Sequence, residues 1–185
     1  MKATARLHNC IVASLVALLP ATAALAQTDR LDDLFARLKD AEPDAAMRIE
    51  REITLELSKS GSPSMDLLLQ RGRDALDAGE VQAALEHLGA LTDHDPEFGE
   101  GWSVYAMALY QAGNTGMAID ALSRALRIEP RNYEALTGLG SIMEESNRPE
   151  LALKAYRLGL DLNPQQADLK DAVKRIETDL AGQDI

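Results

Sequence analysis

Several kinds of residue recur at intervals of 34 in the C-terminal two thirds of this 185-residue chain. The repeated sets are the prolines Pro96, Pro130 and Pro164; the alanines Ala84, Ala118 and Ala152; the turn formers Gly79, Gly113 and Asn147; the small residues Gly72, Ala106 and Gly140; and the large apolar residues Leu68, Trp102 and Leu136. A period of this length indicates a stack of similar units that share one continuous core. It therefore constrains the fold more strongly than any single motif.

Each repeated set has a physical meaning. Gly79, Gly113 and Asn147 tolerate the left-handed conformation, so each can end a first helix. The prolines end a second helix, because the residue before a proline is pushed out of helical geometry. Apolar residues at three- and four-residue spacing between these stops predict two packed helices per unit. We expect the small residues of the first helix to face the alanines of the second.

The sequence resembles the tetratricopeptide repeat family, and specifically an exported bacterial member of it. The middle unit carries the family's signature most completely, at Trp102, Tyr105, Ala106, Leu109, Gly113, Ala118, Leu122, Ala125 and Pro130. The resemblance implies an all-α, right-handed solenoid of antiparallel helix hairpins, with repeats at 65–98, 99–132 and 133–166. The first of these departs from the pattern, since Arg71 and Leu91 stand where an apolar and a small residue are usual.

The segments before and after the repeats are predicted to form the ends of the helical stack. Two amphipathic stripes in residues 27–64 predict an N-terminal helical hairpin, which is either a degenerate fourth repeat or a cap. Residues 167–185 predict a C-terminal capping helix with a polar outer side. The expected architecture is nine helices in a short solenoid.

The first 26 residues have the pattern of an export signal. Lys2 and Arg6 precede the apolar stretch 10–19, and Ala24 and Ala26 form a small-residue cleavage site. We expect cleavage after Ala26 and delivery to the periplasm, with no membrane span in the mature protein; retention as an uncleaved anchor, in a membrane complex, is the alternative. The one cysteine, Cys10, would be lost with the leader, which excludes thiol catalysis, cysteine-ligated metals and disulfides in the mature chain.

The residue types argue against nucleic-acid binding and against chemistry. The net charge of −11 repels phosphate backbones. His87 and His94 are seven residues apart and lack a third nitrogen or sulfur ligand, so surface histidines are favoured over a metal site. Glu144 and Glu145 are helix neighbours that point about 100° apart, so they do not converge on one substrate atom. We expect a protein without enzymatic activity, cofactor or metal. The alternative is a metal-binding or enzymatic accessory protein that uses the two histidines.

The resemblance implies a concave groove formed by the first helix of each repeat. Carried onto this sequence, the groove comprises Asp66, Leu69, Arg73, Leu76, Asp77, Glu100, Ser103, Met107, Tyr110, Gln111, Glu134, Thr137, Ser141, Glu144 and Glu145. Six of these residues are acidic and only Arg73 is basic, so the cationic clamp with which some relatives hold a C-terminal carboxylate is not expected.

We therefore expect an interaction scaffold whose groove holds a basic or amphipathic segment of an exported or envelope protein. Met107 and Tyr110 are the expected apolar anchors, and Glu100, Glu134 and Glu144 the expected source of attraction. Leu69 and Leu76 either extend the apolar floor or belong to the packing of the end hairpin.

Overall fold

The computed structural model describes residues 19–183, and the side chains of residues 27–182. The regular structure of this part is helical, in nine elements: α1 Leu19–Lys39, α2 Pro43–Leu57, α3 Pro63–Asp77, α4 Val81–His94, α5 Gly99–Gln111, α6 Thr115–Ile128, α7 Tyr133–Glu145, α8 Pro149–Leu162 and α9 Ala167–Gln183. The prediction of an all-α solenoid of helical hairpins is confirmed.

Helices α3 to α8 form the three repeats as the pairs α3–α4, α5–α6 and α7–α8. Each second helix also packs on the first helix of the next unit, which joins the pairs into a stack. The first helices end where the backbone turns left-handed, at Gly79 (φ 74°), Gly113 (φ 80°) and Asn147 (φ 55°). Glycine and asparagine tolerate this conformation at little cost, which explains their recurrence.

The two helices of a repeat approach closely at the small residues of the first helix. A Cβ atom added at Gly72 would lie within 3.0 Å of three side-chain carbons of Leu88, and one at Gly140 within 3.0 Å of three ring carbons of Tyr156. Leu88 and Tyr156 lie one turn beyond the alanines that the sequence reading placed opposite these positions. Those alanines, Ala84, Ala118 and Ala152, are nevertheless fully buried.

Helix α9 covers the C-terminal end of the stack. Leu169 and Ile176 enter the main core beside Ala152 and Tyr156. Ion pairs from Arg175 to Glu144 and from Arg157 to Glu177 lie at the edges of this contact.

The N-terminal hairpin α1–α2 does not continue the stack beyond α3 as a fourth repeat would. It folds back instead, so that Tyr133 at the start of α7 enters a core formed mainly by α1 and α2. Phe35 meets the Tyr133 ring edge-on at a centroid distance of 6.4 Å. The hairpin therefore lies against the third repeat, away from the place that a fourth repeat of the stack would take.

Helix α1 starts at Leu19, so it begins before the predicted cleavage site and includes Pro20 in its first turn. The predicted leader residues Lys2, Arg6 and Cys10 lie outside the described residues. Among the helices described, none combines the length and the apolar character that crossing a bilayer requires.

Candidate functional site

A cleft of about 500 Å³ opens on the side of the stack formed by the first helices. Its lining is Thr54, Arg73, Leu76, Asp77, Glu100, Ser103, Val104, Ala106, Met107, Tyr110, Leu122, Glu134, Gly138, Ser141 and Ile142. Nine of the fifteen residues that the sequence analysis places in the groove are among them: Arg73, Leu76, Asp77, Glu100, Ser103, Met107, Tyr110, Glu134 and Ser141. The other six, Asp66, Leu69, Gln111, Thr137, Glu144 and Glu145, do not line the cleft.

Helical periodicity brings the lining residues together. Glu100, Ser103, Met107 and Tyr110 are spaced by three, four and three residues, which places them on one face of α5. In α7, Glu134 and Ser141 stand 34 residues after Glu100 and Met107 and therefore occupy the equivalent face. The cleft thus follows directly from the stacking of successive first helices.

Met107 and Tyr110 are the accessible apolar groups of the cleft. The Met107 side chain is 54% exposed although it stands on a helix whose other face is buried. The Tyr110 hydroxyl donates a hydrogen bond to Glu145 in the next repeat, and this bond raises the pKa of the tyrosine above its usual value. Tyr110 therefore lines the cleft with its ring, while Glu145 fixes the position of its hydroxyl group.

Leu69 is not part of the groove, in contrast to the sequence prediction. It is only 2% exposed and belongs to the core between α3 and α4, with Leu88 and Leu91. Leu76, seven residues later on α3, does line the cleft. The apolar floor on α3 is therefore Leu76 alone.

Glu100 is also not available to attract a ligand, in contrast to the sequence prediction, because its carboxylate is buried and already paired. It is 5% exposed, forms an ion pair with Arg73, and accepts a hydrogen bond of 3.0 Å from Asn132 Nδ2. Burial raises its pKa to about 7, because removal from water outweighs the opposing effect of the Arg73 charge. Glu100 thus joins the first two repeats, and Arg73 is not a free cation for a ligand.

Glu144 and Thr137 also have internal partners. Glu144 accepts hydrogen bonds from Arg175 and from the Tyr156 hydroxyl, and the bond to Arg175 lowers its pKa. Thr137 Oγ1 donates to the Tyr133 carbonyl at 2.7 Å and faces a separate depression beside α2 and α9. The carboxylates that remain exposed at the cleft are Asp77 and Glu134.

Two important residues of the site were not found from the sequence. Asn132 caps α7, since its Oδ1 accepts a hydrogen bond of 2.9 Å from the Ala135 amide, and an asparagine before a helical stripe is a recognisable signal for this. Thr54 enters the cleft from α2 and donates to Glu134 at 3.2 Å. No local pattern marks Thr54, because the contact spans 80 residues.

The remaining candidates lie apart from the cleft. His87 is half-buried beside Arg71, Asp74 and Glu80, whereas His94 ends α4. In residues 27–182, no three side chains of the metal-binding types come together as a possible ion site.

Trp102 packs beside Tyr105 at the edge of the core. The Arg124 guanidinium lies 4.6 Å from the centre of its ring. The indole Nε1 donates a hydrogen bond to the Pro96 carbonyl. These contacts give Trp102 a packing role on the side of the repeat away from the cleft.

Comparison with known proteins identifies the repeats. The tetratricopeptide repeat model matches residues 69–130 and 106–167. A TPR repeat-containing protein of Rhizobium etli is 34% identical over 154 residues, which cover 83% of this chain and 76% of that protein.

Solved structures with the same fold include the following two. The first TPR of Spaghetti (RPAP3), bound to the HSP90 peptide SRMEEVD, has a TM-score of 0.62 at 20% identity and covers 65% of this chain and 95% of that one. MamA has a TM-score of 0.61 at 21% identity and covers 77% of this chain and 81% of that one. The 34-residue period, the helical pairs and these matches together show that the chain belongs to the tetratricopeptide repeat family.

Proposed function

We propose that this protein is an exported, periplasmic scaffold or adaptor that holds a basic or amphipathic segment of a partner protein in its concave cleft. The observation that carries the proposal is the cleft itself, where Met107 and Tyr110 project beside the exposed carboxylates Asp77 and Glu134. The family is one of protein–protein interaction modules, which supports a protein as the ligand.

The chemistry of the lining favours an apolar side chain with a positive neighbour. Val104, Ala106 and Ile142 form a floor without charges, and a methionine adapts its shape to different ligands. A lysine or arginine next to the inserted side chain would reach Asp77 or Glu134. This acidic rim also distinguishes the cleft from a site for a peptide carboxylate.

Only part of the acidic charge near the cleft is available to a ligand. Glu100 and Glu144 are engaged by Arg73 and Arg175, so Glu134 and Asp77 supply the attraction. Rim charges of this kind act mainly on the association rate and its salt dependence. Affinity therefore depends chiefly on Met107 and Tyr110, as expected for anchors at the centre of an interface.

The test is a capture experiment with matched baits. The chain offers a control, because Met107 on α5 and Met117 on α6 are 54% and 55% exposed but stand on a first and a second helix. Proteins of the exported fraction are captured on the wild type, on Met107→Glu and on Met117→Glu, and are then identified. We expect a partner that is retained by the wild type and Met117→Glu and lost from Met107→Glu. Equal retention by all three baits would contradict the proposal.

The location is tested separately by the intact mass of the exported protein. We propose that the mature chain begins at Gln27. A mass that retains Met1 would instead support the anchored alternative.

A further inference from the structure

Helix α2 lies along the concave side of the stack and makes contacts at regular intervals. Glu50 accepts a hydrogen bond of 2.5 Å from Asn163 Nδ2, and Thr54 donates to Glu134 at 3.2 Å. Ser58, just beyond the helix, accepts from Arg73 at 2.8 Å. Residues 50, 54 and 58 are four apart and so form one stripe on the helix. The residues that these three side chains contact belong to the third repeat and to the first. Helix α2 therefore spans the cleft, which has α5 at its centre.

The contacts of this stripe are polar, whereas the apolar side of α2 faces α1. Ile49 and Ile53 pack with Leu34 and Leu38 in the core of the hairpin. From the repeats, the buried Tyr133 belongs to this core, and Leu162 packs against the edge of the core. The hairpin thus buries most of its apolar surface within itself and is attached to the repeats by few apolar contacts.

Helix α1 also contacts Arg131, a residue between α6 and α7. Arg131 pairs with Asp32 and with Glu129, and its guanidinium lies 4.9 Å from the centre of the Phe35 ring. Asp32 is exposed, so this ion pair adds little to stability. The hairpin is thus attached to the repeats by the polar contacts of α2, by Arg131 and by the buried Tyr133.

We propose that the α1–α2 hairpin is a displaceable lid, and that its helix α2 competes with the partner for the concave surface. The competing ligand is an amphipathic helix with a basic side chain at the place of Thr54. That side chain would form an ion pair with Glu134, which adds an attraction between opposite charges that the uncharged Thr54 hydroxyl lacks. The hairpin remains bound without a partner, because its tether gives it a high effective concentration. The part of the proposal that concerns the partner rests on the proposed function.

The lid is tested by changing the charge at position 54. Thr54→Glu places a carboxylate against Glu134 and should release α2, whereas Thr54→Lys should pair with Glu134 and hold it. The double variant Thr54→Glu/Glu134→Lys restores an opposite-charge pair. Leu55→Glu is the matched control, because it adds the same charge one residue away on a side chain that is 64% exposed. Circular dichroism and melting curves establish that each variant is folded.

Backbone hydrogen exchange measures release of α2 directly, since it reports local opening apart from global unfolding. We expect Thr54→Glu to speed exchange in α2 at least about fivefold and to leave α5 and α6 unchanged. Thr54→Lys should slow exchange in α2, and both the double variant and Leu55→Glu should resemble the wild type. Unchanged exchange in α2 of Thr54→Glu, or equal acceleration in α5 and α6, would overturn the lid.

Competition is tested with a synthetic peptide of residues 43–60 that carries Thr54→Lys, labelled with a fluorophore and added to each full-length variant. The Thr54→Glu protein should bind it at least about fivefold more tightly than the Thr54→Lys protein. Equal affinity, or no binding by either, would overturn the competition. Neither result decides whether Met107 contacts a natural partner, so failure here is distinguishable from failure of the proposed function.

Discussion

The close approach of α7 and α8 at Gly140 makes a quantitative prediction about stability. Replacing glycine by alanine inside a helix normally stabilises it by about 1 kcal/mol. At position 140 the added methyl would lie within 3.0 Å of three carbons of the Tyr156 ring. That ring is buried, and its hydroxyl is bonded to Ser141 and Glu144 at 3.2 Å each, so it cannot easily move aside.

Inserting a methyl group into a packed core costs about 1–3 kcal/mol. After the gain in helix propensity is subtracted, we expect Gly140→Ala to destabilise the protein by up to about 2 kcal/mol. Gly138→Ala, on the same helix, is the control. Its Cβ would lie 3.8 Å from Leu122, an ordinary contact, so it should stabilise by up to about 1 kcal/mol.

Equilibrium urea unfolding of the two variants and the wild type measures this difference. The repeats also supply a compensating change, because the residues equivalent to Gly140 and Tyr156 in the middle repeat are Ala106 and Leu122. Gly140→Ala should therefore cost less in a Tyr156→Leu background than in the wild type. Equal stabilisation by Gly138→Ala and Gly140→Ala would refute the close packing of these two helices.

Three other predictions follow from the described contacts. Ala118 is fully buried, so Ala118→Leu should overpack α5 against α6 and cost about 1–3 kcal/mol; an unchanged melting temperature would count against the repeat register. Tyr110→Ala should weaken partner binding by about 2 kcal/mol or more, and binding to the wild type should weaken from low to physiological salt. Calorimetry measures both effects, and the absence of both would mean that the partner binds another surface. The pKa of Glu100 rises from 4.5 to about 7 on folding, so the folded state holds this proton more tightly than the unfolded state does. The free energy of unfolding should therefore fall by about 3 kcal/mol for this group as pH rises between these values. Glu100→Gln should flatten this pH dependence in unfolding measurements, and an unchanged slope would be inconsistent with the raised pKa.

The repeat architecture could be predicted because its signals are local. A glycine or asparagine ends each first helix and a proline follows each second helix, and both act through the conformation of one or two residues. The 34-residue period then places Glu100 and Glu134 at equivalent positions. This is why nine of the fifteen predicted groove residues line one cleft.

The errors arose where the surroundings of a residue depend on distant parts of the chain. Leu69 and Leu76 share a helix and a residue type, but only the core around Leu88 decides that Leu69 is buried. Glu100 is covered because Asn132 and Arg73 close over it. The return of the N-terminal hairpin depends on contacts such as that of Phe35 with Tyr133, which are 98 residues apart and leave no periodic signal.

Photo-crosslinking in intact cells tests most directly whether the concave cleft is the binding surface. A photoreactive amino acid replaces Met107 on α5 in one strain and Met117 on α6 in another, and the similar exposure of the two side chains equalises their access to neighbours. We predict a discrete adduct with one partner protein from position 107 and none from position 117. An adduct from position 117 alone would contradict the assignment of binding to the concave cleft.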